Sequence, residues 1–307
     1  MRQENRAIDS QQGHAPNTTW QQQEVIDYYR AAGADYSAWS KNLHMHLGFY
    51  RKHMNPFSRE QMLDEMPRQL FQRLKLNSQS CGTVMDLGCG VGASLRIGTQ
   101  LYPQLSWKGV TIVPEQQACC ASISQETREY SRILVTLDDY ERLLLPDESL
   151  EYVYALESMS HARGGNKEGL ISEMYRVLKP GGRFAIADGF LLRAPEELSV
   201  FLNYCHRELC RGWALPILSV LPLVLTTLEE KGFENLEAED ISWNVAPSVA
   251  HIPWVSLRFM LERFLARDKL KTLRKNHLKS CILTGITGLA RSSFSYCMLS
   301  GQKPVNR

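Results

Sequence analysis

The sequence predicts an α/β fold built on a mostly parallel, doubly wound sheet with helices on both faces. Three observations support it. Short apolar runs alternate with helix-compatible segments between residues 83 and 190, a glycine-rich turn follows the first run, and a strand-like segment lies near residue 300. Such alternation is typical of parallel sheets, because each crossover helix returns the chain to the same edge. We expect a doubly wound sheet of the Rossmann type.

Helical spacing of apolar residues predicts two helices before the sheet, at 25–39 and 58–74, the second with Ser58 as N-cap and Gln61 three residues later. The predicted strands cover residues 83–87, 107–112, 133–137, 150–156, 183–190 and 293–300. Helical patterns at 196–212 and 256–290 flank a strongly apolar stretch at 213–228. The protein is therefore divided into a disordered leader (1–22), a helical lid (23–76), a Rossmann-like core (77–194), a helical substrate-binding cap (195–290) and a final strand and tail (291–307).

Composition limits the functional classes. The 307 residues carry a net charge of +2, and this near balance disfavours a dedicated nucleic-acid-binding protein. The apolar stretch 213–228 contains two prolines and is too short to span a bilayer. Eight cysteines without paired spacing are typical of a reducing compartment. We expect a cytoplasmic protein with neither a nucleic-acid partner nor a transmembrane segment, and a homo-oligomer is compatible with this sequence.

The most informative run extends from Val84 to Gly92, where an apolar strand containing Asp86 is followed by three alternating glycines. Glycines there let the backbone turn tightly and approach a ligand at the N-terminus of the next helix. Taken alone, the run fits either a nucleotide-type cofactor or a tight strand-to-helix turn. A dinucleotide site is disfavoured, because the third glycine comes one residue early and no acidic residue ends the second strand.

The Asp86-x-Gly88-x-Gly90-x-Gly92 pattern resembles the first motif of class I S-adenosylmethionine-dependent methyltransferases. Gly109 to Gln116 is similar to a stretch of mycolic-acid cyclopropane synthases and tocopherol-type methyltransferases, and Tyr154 to Ala162 is similar to a segment of the C-methyltransferases that act on sterol side chains. The resemblance covers roughly residues 25–192. It implies a Rossmann-like class I methyltransferase fold with a mostly parallel, seven-stranded sheet. It also implies methyltransferase activity, with S-adenosylmethionine as cofactor and S-adenosylhomocysteine as product.

The resemblance also implies roles for individual residues. The expected cofactor-binding residues are Tyr28, Asp86, Gly88, Cys89, Gly90, Thr111, Ile112, Gln116, Asp139, Tyr140 and Glu157, with Asp138 as the alternative to Asp139. The expected catalytic residues are Glu157, His161 and Tyr50. The expected acceptor-binding residues are Tyr36, Trp39, His46, Phe49, Tyr204, Arg207 and Trp213.

Two of these residues have more than one interpretation. Glu157 lies at the carboxyl end of a strand, where open α/β sheets bind ligands, but a glutamate there can also cap a helix. His161 could orient Glu157, take a proton or bond to the backbone. We favour a functional role for Glu157.

No metal site is predicted. His44 and His46 are two residues apart, as metal ligands often are, but no set of Cys, Asp or Glu residues completes a site around them. The acidic run from Asp138 to Glu141 lacks a further carboxylate. Mg²⁺ is expected only if the acceptor carries a diphosphate, which would also need cations such as Arg51, Lys52, His53, Arg207 and Arg211 near the mouth of the pocket.

The apolar segments 214–225 and 245–254 favour a hydrophobic acceptor. Methyl transfer to an alkene carbon leaves a carbocation, which aromatic faces and a carboxylate stabilise. The sequence therefore predicts C-methylation of an isoprenoid double bond in a sterol, a prenylated ring or a prenyl diphosphate, with or without carbocation-driven cyclisation. The alternatives are an O-methyltransferase of a polyketide or glycoside natural product, and a non-catalytic cofactor-binding protein with the same fold.

Overall fold

A computed structural model describes residues 19–33, 36–127, 130–265 and 272–305. Its strands are β1 (Thr83–Leu87), β2 (Ser106–Thr111), β3 (Leu134–Leu137), β4 (Leu150–Leu156), β5 (Leu178–Leu191), β6 (Ser219–Val220), β7 (Glu234–Asp240) and β8 (Phe294–Gln302). Its helices are α1 (Trp20–Ala32), α2 (Tyr36–Trp39), α3 (Arg59–Arg73), α4 (Ala93–Leu101), α5 (Pro114–Glu126), α6 (Glu168–Val177), α7 (Val200–Gly212), α8 (Leu221–Lys231), α9 (Ser242–Val249), α10 (Ile252–Leu265) and α11 (Thr272–Leu289). None of these helices combines the length and apolarity needed to cross a bilayer.

The strands form one sheet in the order β3-β2-β1-β4-β5-β8-β7, with the two-residue β6 beside β5. Strands β1 to β5 pair in parallel, whereas β8 runs antiparallel to both of its neighbours. The predicted mostly parallel α/β sheet is therefore confirmed. The described residues contribute eight strands, one more than the resemblance implies; β6 and β7 are not among the six strands predicted from the sequence pattern.

Alternation along the strands separates two hydrophobic cores, one on each face of the sheet. Tyr154 of β4 joins the core that contains Phe71 and Trp107, whereas its neighbour Val153 joins the core that contains Phe184. Because these central strands are buried on both faces, most of their residues are apolar. The rigid double-sided packing fixes the positions of the strand ends that carry the site.

The segment before the sheet differs from its predicted form. Helix α1 begins at Trp20 with a capping box between Thr19 and Gln22, three residues before the predicted lid boundary. Residues 1–18, which make up most of the predicted leader, lie outside the described residues. The single helix predicted at 25–39 is two helices, with Gly33 at the end of α1. Ser58 precedes α3 but makes no side-chain capping bond, so the capping box predicted there is wrong.

The segment 195–290, in which the substrate-binding cap is expected, is divided between the sheet and the walls of a cavity. Helix α8 packs Val224 and Leu228 into the sheet core beside α6, and β7 pairs with β8 at the sheet edge. The apolar stretch that suggested extra binding surface therefore mainly covers the sheet. The remaining helices α7, α9, α10 and α11 surround a cavity above the carboxyl ends of the strands.

Candidate active site

The turn after β1 is shaped by its glycines. Gly88 has a φ of 88°, and a Cβ atom added to it would lie 2.5 Å from the Cβ atom of Ser158, so a larger residue would be both strained and obstructed. Gly92, with a φ of 74°, precedes α4, and this helix has no capping side chain. The N-terminus of α4, which carries a partial positive charge, therefore follows a turn without bulky side chains.

The structure brings ten of the eleven expected cofactor residues together in one groove at the carboxyl ends of β1 to β4. They are Asp86, Gly88, Cys89, Gly90, Thr111, Ile112, Gln116, Asp139, Tyr140 and Glu157. Tyr28 is the exception, because it points to the apolar cavity described below and its neighbour Tyr29 lines the groove. Carboxyl ends of parallel strands share one edge of the sheet, which explains why residues from four separate segments meet.

Polar side chains in the groove hold one another in place. The Thr111 hydroxyl donates to Gln116 Oε1 at 2.7 Å, which leaves the Gln116 amide NH₂ as a donor for the groove. Asp139 accepts from Gln22 Nε2 at 2.6 Å and from the backbone N–H of Glu141 at 2.9 Å. Helix α1 is thereby joined to the strand edge across the groove. Sequence reasoning missed Gln22 because it lay within the predicted leader.

Asp86 is buried at the end of β1. It accepts a hydrogen bond from Ser94 Oγ at 2.6 Å, and Tyr154 donates to the same Ser94 hydroxyl at 3.0 Å. Burial raises the pKa of Asp86 to about 7, although the bonds from Ser94 and Tyr154 oppose the rise. The groove therefore contains a carboxyl group that gains or loses its proton near neutral pH.

Glu157 follows β4 in a left-handed conformation with a φ of 50°, which is strained for a residue with a side chain. Its Oε1 accepts from the Leu47 N–H and from the Tyr296 hydroxyl, each at 2.7 Å. Burial raises the pKa of Glu157 to about 7, with a smaller contribution from the charge of Asp188. Residues from two distant parts of the sequence thus hold one carboxyl group.

His161 follows Glu157 on a single turn of 3₁₀ helix, with Nε2 3.2 Å from the Tyr29 hydroxyl. Burial and the positive charge of Lys167 lower the pKa of His161 to about 4, so the ring is neutral at physiological pH. Lys167 has no exposed surface and donates to the carbonyl oxygens of Ser160, Ala162 and Ile217 at 2.8–3.1 Å. Lys167 therefore fixes the turn that carries His161.

An apolar cavity of about 690 Å³ lies beside the groove. Its walls come from α1, α2, α7, α9, α10, α11, β5 and β8, and its lining includes Tyr28, Tyr36, Trp39, His46, Trp213, Phe259 and Tyr296. Five residues line both the groove and the cavity: Tyr29, Met45, His46, Glu157 and His161. The catalytic candidates Glu157 and His161 thus stand at the junction of the two spaces.

Four expected residues do not reach either space. Phe49 is 4% exposed and belongs to the core beside α3, and Tyr50 holds α9 through its backbone N–H, which donates to Asn244 O at 2.7 Å. Tyr204 and Arg207 lie on the exposed face of α7, opposite Leu209, which lines the cavity. The roles predicted for these four side chains are therefore corrected.

The two histidines with metal-like spacing bond to each other, with His44 Nδ1 3.0 Å from His46 Nε2. In the part of the protein that the structure describes, no group of three or more His, Cys, Asp or Glu residues could hold a metal ion. The anionic run from Asp138 instead bonds to nearby backbone N–H groups.

Comparison with known proteins finds methyltransferase relatives of this chain. A family model described as "Methyltransferase domain" matches residues 84–182. An O-methyltransferase of Aspergillus sclerotiorum is 30% identical over 212 residues, which are 66% of this chain and 73% of that protein. A sterol 24-C-methyltransferase of Yarrowia lipolytica is 29% identical over 184 residues, which are 59% of this chain. The match covers 45% of that enzyme, so this chain spans about half of its length. The cyclopropane synthase MmaA2 of Mycobacterium tuberculosis has the same fold, with a TM-score of 0.79 at 15% identity over 94% of this chain and 100% of that protein.

Proposed function

Because this chain belongs to the class I S-adenosylmethionine-dependent methyltransferases, we propose that it transfers the methyl group of S-adenosylmethionine to an alkene carbon of a hydrophobic isoprenoid acceptor. The observation that carries the proposal is the junction between the groove and the apolar cavity. The carboxyl group of Glu157, the phenol ring of Tyr29 and the neutral imidazole of His161 lie there. These are the groups that a carbocation-forming methyl transfer needs between its two reactants.

The groove fits the cofactor. Gln116 offers an amide donor, Asp139 offers carboxylate oxygens beside the ring of Tyr140, and the uncapped start of α4 offers backbone donors. When bound, S-adenosylmethionine supplies an electrophilic methyl group on a sulfonium. The protein's own task is to align this methyl group with the acceptor and to exclude water, because the transfer is a direct displacement.

An alkene that takes up a methyl group becomes positively charged on the adjacent carbon. The rings of Tyr28 and Tyr29 lie 4.9 Å apart in an edge-to-face arrangement, and Tyr36 lies 6.4 Å from Tyr29. Such rings attract a cation through their negative faces, and the carboxylate of Glu157 attracts it more strongly in a cavity of low polarity. The junction therefore favours an acceptor that passes through a carbocation.

The reaction is completed when the cation loses a proton or closes a ring. In the first case a C–H bond beside the cationic carbon breaks, its electron pair forms a new double bond, and the proton moves to a base. His161 suits this role because its ring is neutral at physiological pH and borders the cavity.

The charges around the cavity distinguish the acceptor types. Arg51, Lys52, His53, Arg207 and Arg211, which a diphosphate would need, do not line it. Among the described lining residues, Arg291 is the only arginine or lysine, and it is paired with Asp240. An uncharged sterol-like or prenylated-ring acceptor therefore fits the described walls better than a prenyl diphosphate.

Product analysis tests the proposal. The protein is incubated with methyl-¹³C-labelled cofactor and with a Δ24 sterol, a prenylated quinol, farnesol, farnesyl diphosphate or a phenolic polyketide, and products are examined by mass spectrometry and NMR. We expect the label on carbon. Label on oxygen would support the O-methyltransferase alternative, and cofactor binding in calorimetry without labelled product from any acceptor would support the non-catalytic alternative.

A further inference from the structure

Asp64, His44 and His46 form a hydrogen-bonded relay beside the active site. His44 Nε2 lies 2.8 Å from Asp64 Oδ1, His44 Nδ1 lies 3.0 Å from His46 Nε2, and His46 Nδ1 lies 2.8 Å from the carbonyl oxygen of Leu47. The two histidines are 1% and 7% exposed, whereas the Asp64 side chain is 37% exposed. The relay thus runs from the surface to the junction of the groove and the cavity.

The three hydrogen bonds determine how many protons the relay holds. A carbonyl oxygen only accepts, so His46 Nδ1 must carry a proton, and one further proton must lie in each of the other two bonds. Two neutral imidazole rings supply only two of these three protons. The third proton therefore makes either one ring an imidazolium ion or Asp64 a carboxylic acid. Because carboxylic acids are stronger acids than imidazolium ions, we assign it to the rings. Asp64 Oδ1 lies 2.8 Å from His44 Nε2, and His46 lies on the far side of the His44 ring, so we place the positive charge on His44, with Asp64 as its counter-ion.

The same segment holds the catalytic candidate Glu157. The N–H of Leu47 donates to Glu157 Oε1 at 2.7 Å, and the carbonyl of the same peptide group, on His46, accepts from Trp39 Nε1 at 3.0 Å. The next N–H, of Gly48, donates to Ser248 Oγ at 2.8 Å. The ring of His46, which the relay from Asp64 orients, also donates from Nδ1 to the carbonyl oxygen of Leu47, the residue whose N–H bonds to Glu157, and so helps to fix the position of that donor.

We propose that Asp64 and His44 are positioning residues, which act as an ion pair to orient His46 and keep the Leu47 N–H on the carboxyl group of Glu157. The inference rests on the proposed function only in assigning Glu157 its task, and the geometry does not depend on the acceptor. Both ring nitrogens of His46 are engaged, so His46 is not the base that takes the acceptor's proton. That role is left to His161.

NMR tests the ion pair without any acceptor. In protein labelled with ¹⁵N-histidine at about pH 7, we expect both ring nitrogens of His44 to be protonated, with the signals identified by their loss in His44→Asn. Asp64→Asn should convert His44 to a neutral ring and shift the Leu47 amide proton upfield, because its bond to Glu157 lengthens. Asp147→Asn, which removes an exposed carboxylate paired with Arg176, is the matched control and should change neither signal.

A neutral His44 ring in the wild-type protein, or an unmoved Leu47 amide proton in Asp64→Asn, would overturn the proposal. Once an acceptor is known, Asp64→Asn should lower kcat about 10-fold or more with KM for the cofactor nearly unchanged, because the reacting groups are displaced while the groove is kept. The proposal would also be overturned if Asp64→Asn raised KM for the cofactor by the same factor by which it lowered kcat, or if its kcat equalled that of the wild-type protein. Absence of product with every acceptor would contradict the proposed function but leave the NMR result to decide on the ion pair.

Discussion

Replacing Glu157 with glutamine should remove a pH-dependent loss of stability. Burial, together with the charge of Asp188, raises the pKa of Glu157 from 4.5 to about 7 in the folded protein. A tenfold change in proton affinity corresponds to about 1.4 kcal/mol, so the ionised carboxyl costs the folded state about 3 kcal/mol relative to the unfolded state. The carboxyl group that we propose to stabilise the carbocation is therefore a source of instability.

The sign follows from the two protonation equilibria. Below pH 4.5 the carboxyl is protonated in both states, and between pH 4.5 and about 7 it ionises mainly in the unfolded state. The free energy of unfolding of the wild-type protein therefore falls as the pH rises through this window, and above it the whole cost is present. Asp86 and Asp188 act in the same direction, but they are present in both proteins and contribute little to the difference.

Urea unfolding, followed by circular dichroism, measures the effect. Between about pH 5 and about pH 8, the free energy of unfolding of Glu157→Gln should rise by about 2–3 kcal/mol relative to the wild-type protein. Glu234→Gln, at an exposed position on β7, is the control and should differ from the wild-type protein by the same amount at both pH values. The reasoning is refuted if the difference for Glu157→Gln is also independent of pH.

Lys167→Met removes three charge-assisted hydrogen bonds to buried carbonyl groups, so it should lower the free energy of unfolding by about 3 kcal/mol or more and reduce kcat. Lys231→Met, which breaks an exposed ion pair, is the control and should lower the free energy of unfolding by less than about 1 kcal/mol. Similar losses of stability in the two variants would contradict the role of Lys167. Asp139→Asn should raise the Kd for S-adenosylmethionine about tenfold in calorimetry, whereas Tyr28→Phe should leave it unchanged and raise the acceptor KM, because Tyr28 lines the cavity. Equal effects on cofactor binding would contradict this division. A Cβ atom on Gly285 of α11 would meet nothing within 4 Å, so Gly285→Ala should stabilise the protein in urea by about 0.5–1 kcal/mol. Gly285→Phe should fill the cavity and abolish turnover with cofactor affinity unchanged, and retained turnover would place the acceptor elsewhere.

The parts of the fold that could be predicted are those buried on both faces. Strands β1, β4 and β5 are mostly apolar along their buried lengths because helices cover them on each side, so their positions are visible in the sequence. Strand β7 reads Glu-Asn-Leu-Glu-Ala-Glu-Asp and is mostly exposed at the sheet edge, so it has no apolar alternation. The sequence does not predict this strand for that reason, and the segment around it resembles part of the cap.

The candidate site also has a part that the sequence predicts and a part that it does not. The groove residues follow strand ends, and the parallel topology alone brings Asp86, Thr111 and Asp139 to one edge. The cavity depends on how separate helices pack, which local sequence does not specify. Phe49 and Tyr296 illustrate the difference: both are aromatic and largely buried, but one fills the core beside α3 and the other donates to Glu157.

Strand β8 has a consequence for the synthesis of this protein on the ribosome. It pairs with β5 along nine register positions and separates it from β7, although it follows both in the sequence. Until residues 294–302 have emerged, the nascent polypeptide has an unpaired edge on β5, which invites pairing with other molecules, and Glu157 lacks its bond from Tyr296. The order of translation therefore leaves this edge exposed while the protein is synthesised, and the hydrogen bonds that hold the Glu157 carboxyl group are complete only when almost all of the described residues have been made.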